Sequence, residues 1–531
     1  MKKIIIYSIL VVILTAGFTS CSSFDKFFDI RPKSELIFED FWRDENDVKS
    51  AVGACYRGMI EQAFIERLIV WGEVRSDNVI KGRSVNESIG NILATKLLPA
   101  NEYTTWGSFY SVINNCNNVI KYAPLAKDND PNFTEGQLQA YIAEVKGIRA
   151  FCYFTLVRTF RDIPLIETPY DDDKQPLVVA QSSPGEVLDF LIQDLEGCEN
   201  QAPSFWENDI YSSKGRITQN AIRALLADIY LWKNDYANCI KYCDEVLNDN
   251  NVVLTLEDSK VYNSDVFIYG NSTESIFELQ FYSSNNFLNS AVNGMYGTVG
   301  GNGKQEQLSA LDLITPGELF PRYVTFNSNK IPVDLRGKDA FFPDFNNQLF
   351  PIKKYISLRV DNPNGSTTAN DYFDEYTSSN WIIYRLPDIY LMKAEALVEL
   401  GGDNNLAAAF DLVSRTWNRA NPNNVGSLNY NSYNSQALMR DLVFDERQRE
   451  FLFEGKRYFD LLRRINRENN IDVIVAKYLI RKYGGLDQAT IKSNLSDINA
   501  LYMPINDQEM KVNYLLVQNP FYKISSEVQQ N

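Results

Sequence analysis

Apolar residues return along most of this chain with the ~3.6-residue period of an α-helix, and this periodicity narrows the possible folds furthest. The stretch 140–160 is apolar nearly all round, with Ile148, Phe151, Phe154 and Val157, which predicts a deeply buried helix ended by Pro164. Tyr110, Ile113, Asn117 and Ile120 mark one face of another. Asp44-Glu45-Asn46 supplies start signals, with acids in the first turn, for a helix reaching about residue 62.

Within this helical pattern a repeat occurs. Residues 226–247 resemble a tetratricopeptide repeat, with Ala227 at the small position, Tyr230 at the aromatic one and Cys239 as the small packing residue of the second helix. Asn234 stands in the turn between the two helices, where a left-handed backbone is needed and asparagine tolerates it. A looser copy runs from Tyr390 through Gly401-Gly402 to Ala409, and segments 103–123 and 140–160 can form a further pair. Residues 255–380 differ: Gly, Asn, Ser and aromatics crowd together, short strands such as 275–279 are expected, and no long helix is. So long an irregular stretch tends to be functional. The expected fold is mostly α, built of tetratricopeptide-like helix pairs with an irregular loop-rich region carrying short strands.

The N-terminus predicts export. Lys2 and Lys3 precede an apolar run, 4–16, that is too short to span a ~30 Å hydrocarbon core and reads as a secretory signal. Gly17-Phe18-Thr19-Ser20-Cys21 resembles the lipobox of bacterial lipoproteins, so Cys21 is the expected acylation site. Each buried CH₂ contributes about 0.8 kcal/mol, so two or three acyl chains anchor firmly. The expected organisation is a signal peptide at 1–20, a lipid-anchored segment at 21–44 and one α domain at 45–531.

Composition removes several classes of chemistry. The net charge is −16, which repels phosphate backbones and makes nucleic acid an unexpected partner. There is no histidine, which excludes Ser-His-Asp triads, H-E-x-x-H zinc sites and C-x-x-C-H haem attachment. Cysteines 55, 116, 152, 198, 239 and 243 are expected to be free, buried packing residues; Cys116 and Cys152 sit in apolar helical runs. Residues 297–305 imitate a phosphate loop, but the spacing before Gly303-Lys304 is one residue too long and Gln305 lacks the Mg²⁺-binding hydroxyl. Residues 361–365 imitate a calcium loop whose glycine comes one position early. No metal or cofactor is expected.

Motifs spread over nearly the whole chain resemble the SusD/RagB family of Bacteroidetes. They comprise 28–36 with Phe41-Trp42, Glu73-Val74-Arg75-Ser76-Asp77-Asn78, 143–151 continuing to 162–166, Gly215-Arg216-Ile217-Thr218, 446–464, and Tyr502-Met503-Pro504-Ile505 with Gln518-Asn519-Pro520. In 446–464, Phe451, Gly455, Tyr458, Phe459 and Leu462 fall on one face of an expected helix, and Asp460 is placed to pair with Arg463 and Arg464. The resemblance implies an outer-membrane lipoprotein, lipid-anchored at the cell surface. It would bind an oligosaccharide, or a peptide in some branches, and load a SusC-like TonB-dependent transporter. It implies a binding protein and not an enzyme.

A sugar site needs aromatic faces and orienting polar groups. The resemblance places ligand contacts after the Arg75–Asn78 motif and in the irregular region. The first set is Asp77, Arg83, Asn101 and Tyr103; the second is Phe281, Tyr282, Phe287 and Tyr296, with Tyr282 and Tyr296 as the expected stacking platform. Starch-binding members stack sugar on tryptophan, yet all seven tryptophans lie outside 255–380, which argues against starch. A carboxylate-based glycoside hydrolase is the alternative from another class; it needs two carboxyl groups roughly 5–10 Å apart across one groove, and the sequence nominates no such pair.

Overall fold

The computed structural model describes residues 41–171, 178–207, 213–282, 287–296, 306–311, 319–320, 324–326, 329–331, 334–340, 350–360, 372–376, 378–483 and 488–523. Cys21, the signal segment, the 28–36 motif and both imitation loops, 297–305 and 361–365, lie outside the described residues.

The fold is mostly helical, and its helices start where side chains can cap them. Asp44 accepts from the backbone N–H groups of Asn46 and Asp47 and opens the Glu45–Met59 helix. That helix stops three residues short of the expected end, and a second, Gln62–Ile69, follows and runs into a π-helical turn, Val70–Val74. Thr134 and Gln137 form a capping box for Glu135–Phe160, which is buried almost without break from Ala143 onward. It ends at Arg161, whose φ of +72° leaves the helical region before Pro164 is reached. This helix packs along Gly107–Asn129, which in turn packs on Glu45–Met59.

The repeat is present as two helix pairs. Gln219–Trp232 and Tyr236–Leu247 are joined through Asn234 at φ +61°, the left-handed turn expected of it. Leu386–Leu400 and Asp403–Ala420 are joined through Gly401 and Gly402 at φ +71° and +88°. The pairs stack directly: Tyr236–Leu247 lies on Leu386–Leu400, and the Cys239 thiol reaches the Met392 carbonyl oxygen at 3.9 Å. All six described cysteines are free and buried.

Between the pairs, the described part of 255–380 holds short strands and short helical turns. Ser275–Leu279 is a strand buried along its whole length and pairs antiparallel with Trp381–Arg385. A three-stranded antiparallel sheet joins Val79–Lys81 to Leu308–Ala310 and then Phe350–Pro351, bringing the N-terminal motif and the irregular region together.

One expectation is corrected. Residues 446–464 are not one helix. Gln436–Glu450 ends, a turn carries Phe453 at φ +63° and Gly455 at φ +69°, and Arg457–Glu468 begins. Close backbone packing forces the break: a Cβ on Gly72 would lie 1.8 Å from the Gly455 carbonyl oxygen, so the two segments meet backbone to backbone. Asp460 pairs with Arg463 at 2.8 Å as expected, but its other partner is Arg447, while Arg464 turns to Asp441 and Glu468.

Candidate functional site

The Glu73–Asn78 motif is a structural hub. Arg457 donates from Nε and Nη2 to both Asp77 oxygens, at 2.8 and 2.9 Å, with both residues buried. Against the opposing effect of burial, the Arg457 guanidinium holds the Asp77 carboxyl below the usual carboxylate range. Arg75 donates to the carbonyl oxygens of Ala500 and Leu501 and lies over the Tyr458 ring. Asn78 donates to Glu73 at 2.6 Å and accepts from Gln448 at 2.8 Å. Burial pushes the Glu73 carboxyl up to about 8. The signature at 446–464 feeds a second buried lattice: Arg385 donates to Glu450 and Glu454, Arg336 to Asp334, Glu446 and Glu450, and Arg419 to Glu274. Although burial opposes it, Arg385 and Lys354 draw Glu454 down to about 2. These charges are paired inside the protein, so the motif that carries the resemblance holds the fold together.

The hub positions a groove. Its first wall is the strand Val79–Lys81, which leaves the motif; its second is the end of the Glu87–Leu93 helix with Ala94, Thr95 and Lys96; its third is Lys482 and Tyr483 with Thr490, Ile491 and Asn494. The cavity measures about 540 Å³, within the roughly 300–1,000 Å³ usual for ligand clefts. Val79, Ile80, Leu93 and Ile491 give it an apolar floor, and the half-buried Tyr483 supplies an aromatic face. Lys482 donates to the carbonyl oxygens of Val74 and Ser76, at 3.1 and 2.7 Å, fixing this wall to the hub, and burial lowers its ammonium to about 7. Thr95 holds φ +57°, a left-handed backbone that costs a β-branched residue of order 1–3 kcal/mol. Strain of this kind collects at functional sites.

None of the first set of expected residues lines this groove, though Asn101 braces one of its walls. Asn101 accepts from the Tyr103 N–H and donates to the Ser88 carbonyl oxygen in the helix of the second wall. Tyr103 is buried, and Asn86 caps that same helix by accepting from the Ile89 N–H. Arg83 follows the strand and faces Glu306 at 3.6 Å. Asp77 is not a free ligand group, because both its oxygens are held by Arg457.

The second set does not form a platform. Tyr296 is fully buried, donates its hydroxyl to the Phe453 carbonyl oxygen at 2.9 Å and stacks on Tyr355, so it is a core residue. Phe281 is also buried. Tyr282 and Phe287 do present exposed rings, joined to each other by an antiparallel bridge with Arg57 over Phe287. Tyr483 was not expected. A basic-aromatic pair, Lys482-Tyr483, immediately before Gly484-Gly485 was the available signal. Six of the seven tryptophans are buried in the core and Trp232 packs partly buried against it, leaving tyrosine as the aromatic of the groove.

Residues 273–522 match the family model described as the SusD family, and residues 26–231 match one described as starch-binding associating with outer membrane. The chain belongs to the SusD/RagB family. A SusD superfamily protein from Bacteroides vulgatus superposes with a TM-score of 0.72 at 20% identity, covering 91% of this chain and 100% of that one. A SusD homolog from Bacteroides thetaiotaomicron gives 0.69 at 21% identity, covering 91% and 100%. In sequence, SusD-like protein P38 of Formosa agariphila is 24% identical over 489 residues, 87% of this chain and 92% of the relative. A SusD-like protein of Bacteroides ovatus is 25% identical over 493 residues, 87% of this chain and 83% of the relative. The motifs that carry the resemblance to this family form the hub and feed the charge lattice, with the groove beside them.

Proposed function

We propose that this chain is an outer-membrane lipoprotein, anchored through Cys21 at the cell surface, that captures an oligosaccharide and passes it to a SusC-like TonB-dependent transporter. The observation that carries the binding half of this reading is the groove, where an apolar floor and the Tyr483 ring face Thr95, Thr490, Asn494 and lysine donors. Flat aromatic faces take the apolar face of a pyranose, and hydroxyl and amide groups orient its hydroxyls. Family membership supports the uptake role and the association with the outer membrane. Among the described residues that line the groove none is a carboxylate, which supports binding over glycoside cleavage.

Isothermal titration with oligosaccharides chosen by a glycan array tests the site. Tyr483→Ala is expected to weaken binding by up to about tenfold, the equivalent of 1.4 kcal/mol, at unchanged circular dichroism. Wild-type affinity in the variant, or appearance of shorter products, counts against the proposal.

A further inference from the structure

The groove carries charge of one sign. Lys81, Lys96 and Lys482 line it, and none of its described lining residues is acidic. That is unexpected by composition, since the chain holds 52 lysines and arginines against 68 acids. The three lysines arrive on separate segments: the strand after the hub, the strained turn after the Glu87–Leu93 helix, and the segment preceding the Gln488–Leu495 helix. Convergence from three places is a property of the fold and not a local run of basic sequence.

Two of these lysines, Lys81 and Lys96, are also uncommitted. Basic side chains elsewhere in the described structure are commonly neutralised: Lys354 pairs with Glu454, Lys456 with Asp388, and Arg83 with Glu306. Lys81 and Lys96 are exposed and have no carboxylate partner among the described residues. Lys482 is held by the Val74 and Ser76 carbonyl oxygens, so the charge offered to a ligand comes from Lys81 and Lys96. A cleft lined by one sign of charge focuses its field on an anion, and here it does so in a protein of net charge −16.

Resting on the reading of the groove as a glycan site, we infer that it selects acidic oligosaccharides, in which uronate carboxylates or sulfate esters meet Lys81 and Lys96 while a sugar ring lies on Tyr483. Ammonium groups suit both anions as point charges without demanding the planar geometry an arginine would impose. The placing of Lys81 and Lys96 on two separate walls fits a ligand with charges on successive residues better than one with a single terminal charge.

The test uses the full chain in detergent and calorimetric titration with short oligogalacturonates, sulfated galactan oligosaccharides and neutral cello-oligosaccharides of matched length. The acidic sugars are expected to bind and the neutral ones to bind at least about tenfold more weakly, with affinity falling as salt is raised. The carboxylate and sulfate arms separate the two sources of charge. Lys81→Gln and Lys96→Gln should each cost about tenfold with the acidic ligand, while Lys81→Arg and Lys96→Arg retain binding. Equal binding of neutral and acidic sugars, insensitive to salt and to both Gln variants, overturns the acidic selectivity and leaves glycan capture standing. Binding to none of these sugars, or to an acidic peptide such as oligoglutamate in their place, overturns both.

Discussion

Arg457 clamps Asp77 across 380 residues of sequence, with two bonds of 2.8 and 2.9 Å between buried side chains. Removing one partner of such a pair leaves an uncompensated buried charge, which typically costs about 3–5 kcal/mol. Asp77→Asn should therefore lower the urea midpoint sharply, and its folded fraction should bind ligand as the wild type does. A midpoint within error of wild type would mean that the clamp does not hold the hub.

Gly72 and Gly455 predict a steric failure. With a Cβ on Gly72 only 1.8 Å from the Gly455 carbonyl oxygen, Gly72→Ala cannot be accommodated without moving one backbone segment. Gly455→Ala suffers a second penalty because φ there is +69°. Both variants should accumulate as insoluble or protease-sensitive protein, whereas Gly53→Ala, with no atom near its added methyl, should behave as wild type.

Cys239 lies where the two repeat pairs meet, beside the Met392 backbone. Cys239→Phe should overpack this contact and cost roughly 1–3 kcal/mol. Thermal unfolding by circular dichroism measures it, and an unchanged midpoint would remove Cys239 from the interface.

The charge lattice makes stability depend on acid. In the unfolded chain Glu454 takes up its proton near 4.5, and in the folded chain Arg385 and Lys354 keep it ionised, against the effect of burial, down to about 2. Its contribution is whole above 4.5 and is lost as pH falls from there through 2, because over that window the unfolded state binds more protons. Glu450 and Glu395 shift in the same direction. Unfolding midpoints measured along this acid range should fall steadily for the wild type, and Glu454→Gln should lie lower at neutral pH with a shallower fall. Parallel curves for the two proteins would show that the lattice is not what acid breaks.

What could be read in the sequence was short-range. Asn234 announced its turn because a left-handed residue between two helical periods has few alternatives, and Asp44 announced a cap because its partners are two and three residues away. The Ser275–Leu279 strand showed itself between turn-forming residues. The misreadings are long-range. The helix expected across 446–464 breaks because Gly455 must meet Gly72, and Asp77 is a clamp because Arg457 lies beside it only in the fold. Tyr296 had the composition of a loop ring and became core by stacking on Tyr355. The groove itself assembles from three distant segments, so Asp77 and Arg83 drew attention to the segment of one wall while Tyr483, on another, did not.

The most direct test of the account is a crystal structure of the chain with the oligosaccharide that binds it most tightly. Sugar density is expected in the groove between the Val79–Lys81 strand and Tyr483, with a ring against the Tyr483 face and polar contacts from Thr95 or Asn494. Sugar seated instead on the exposed rings of Tyr282 and Phe287, with the groove empty, would contradict it.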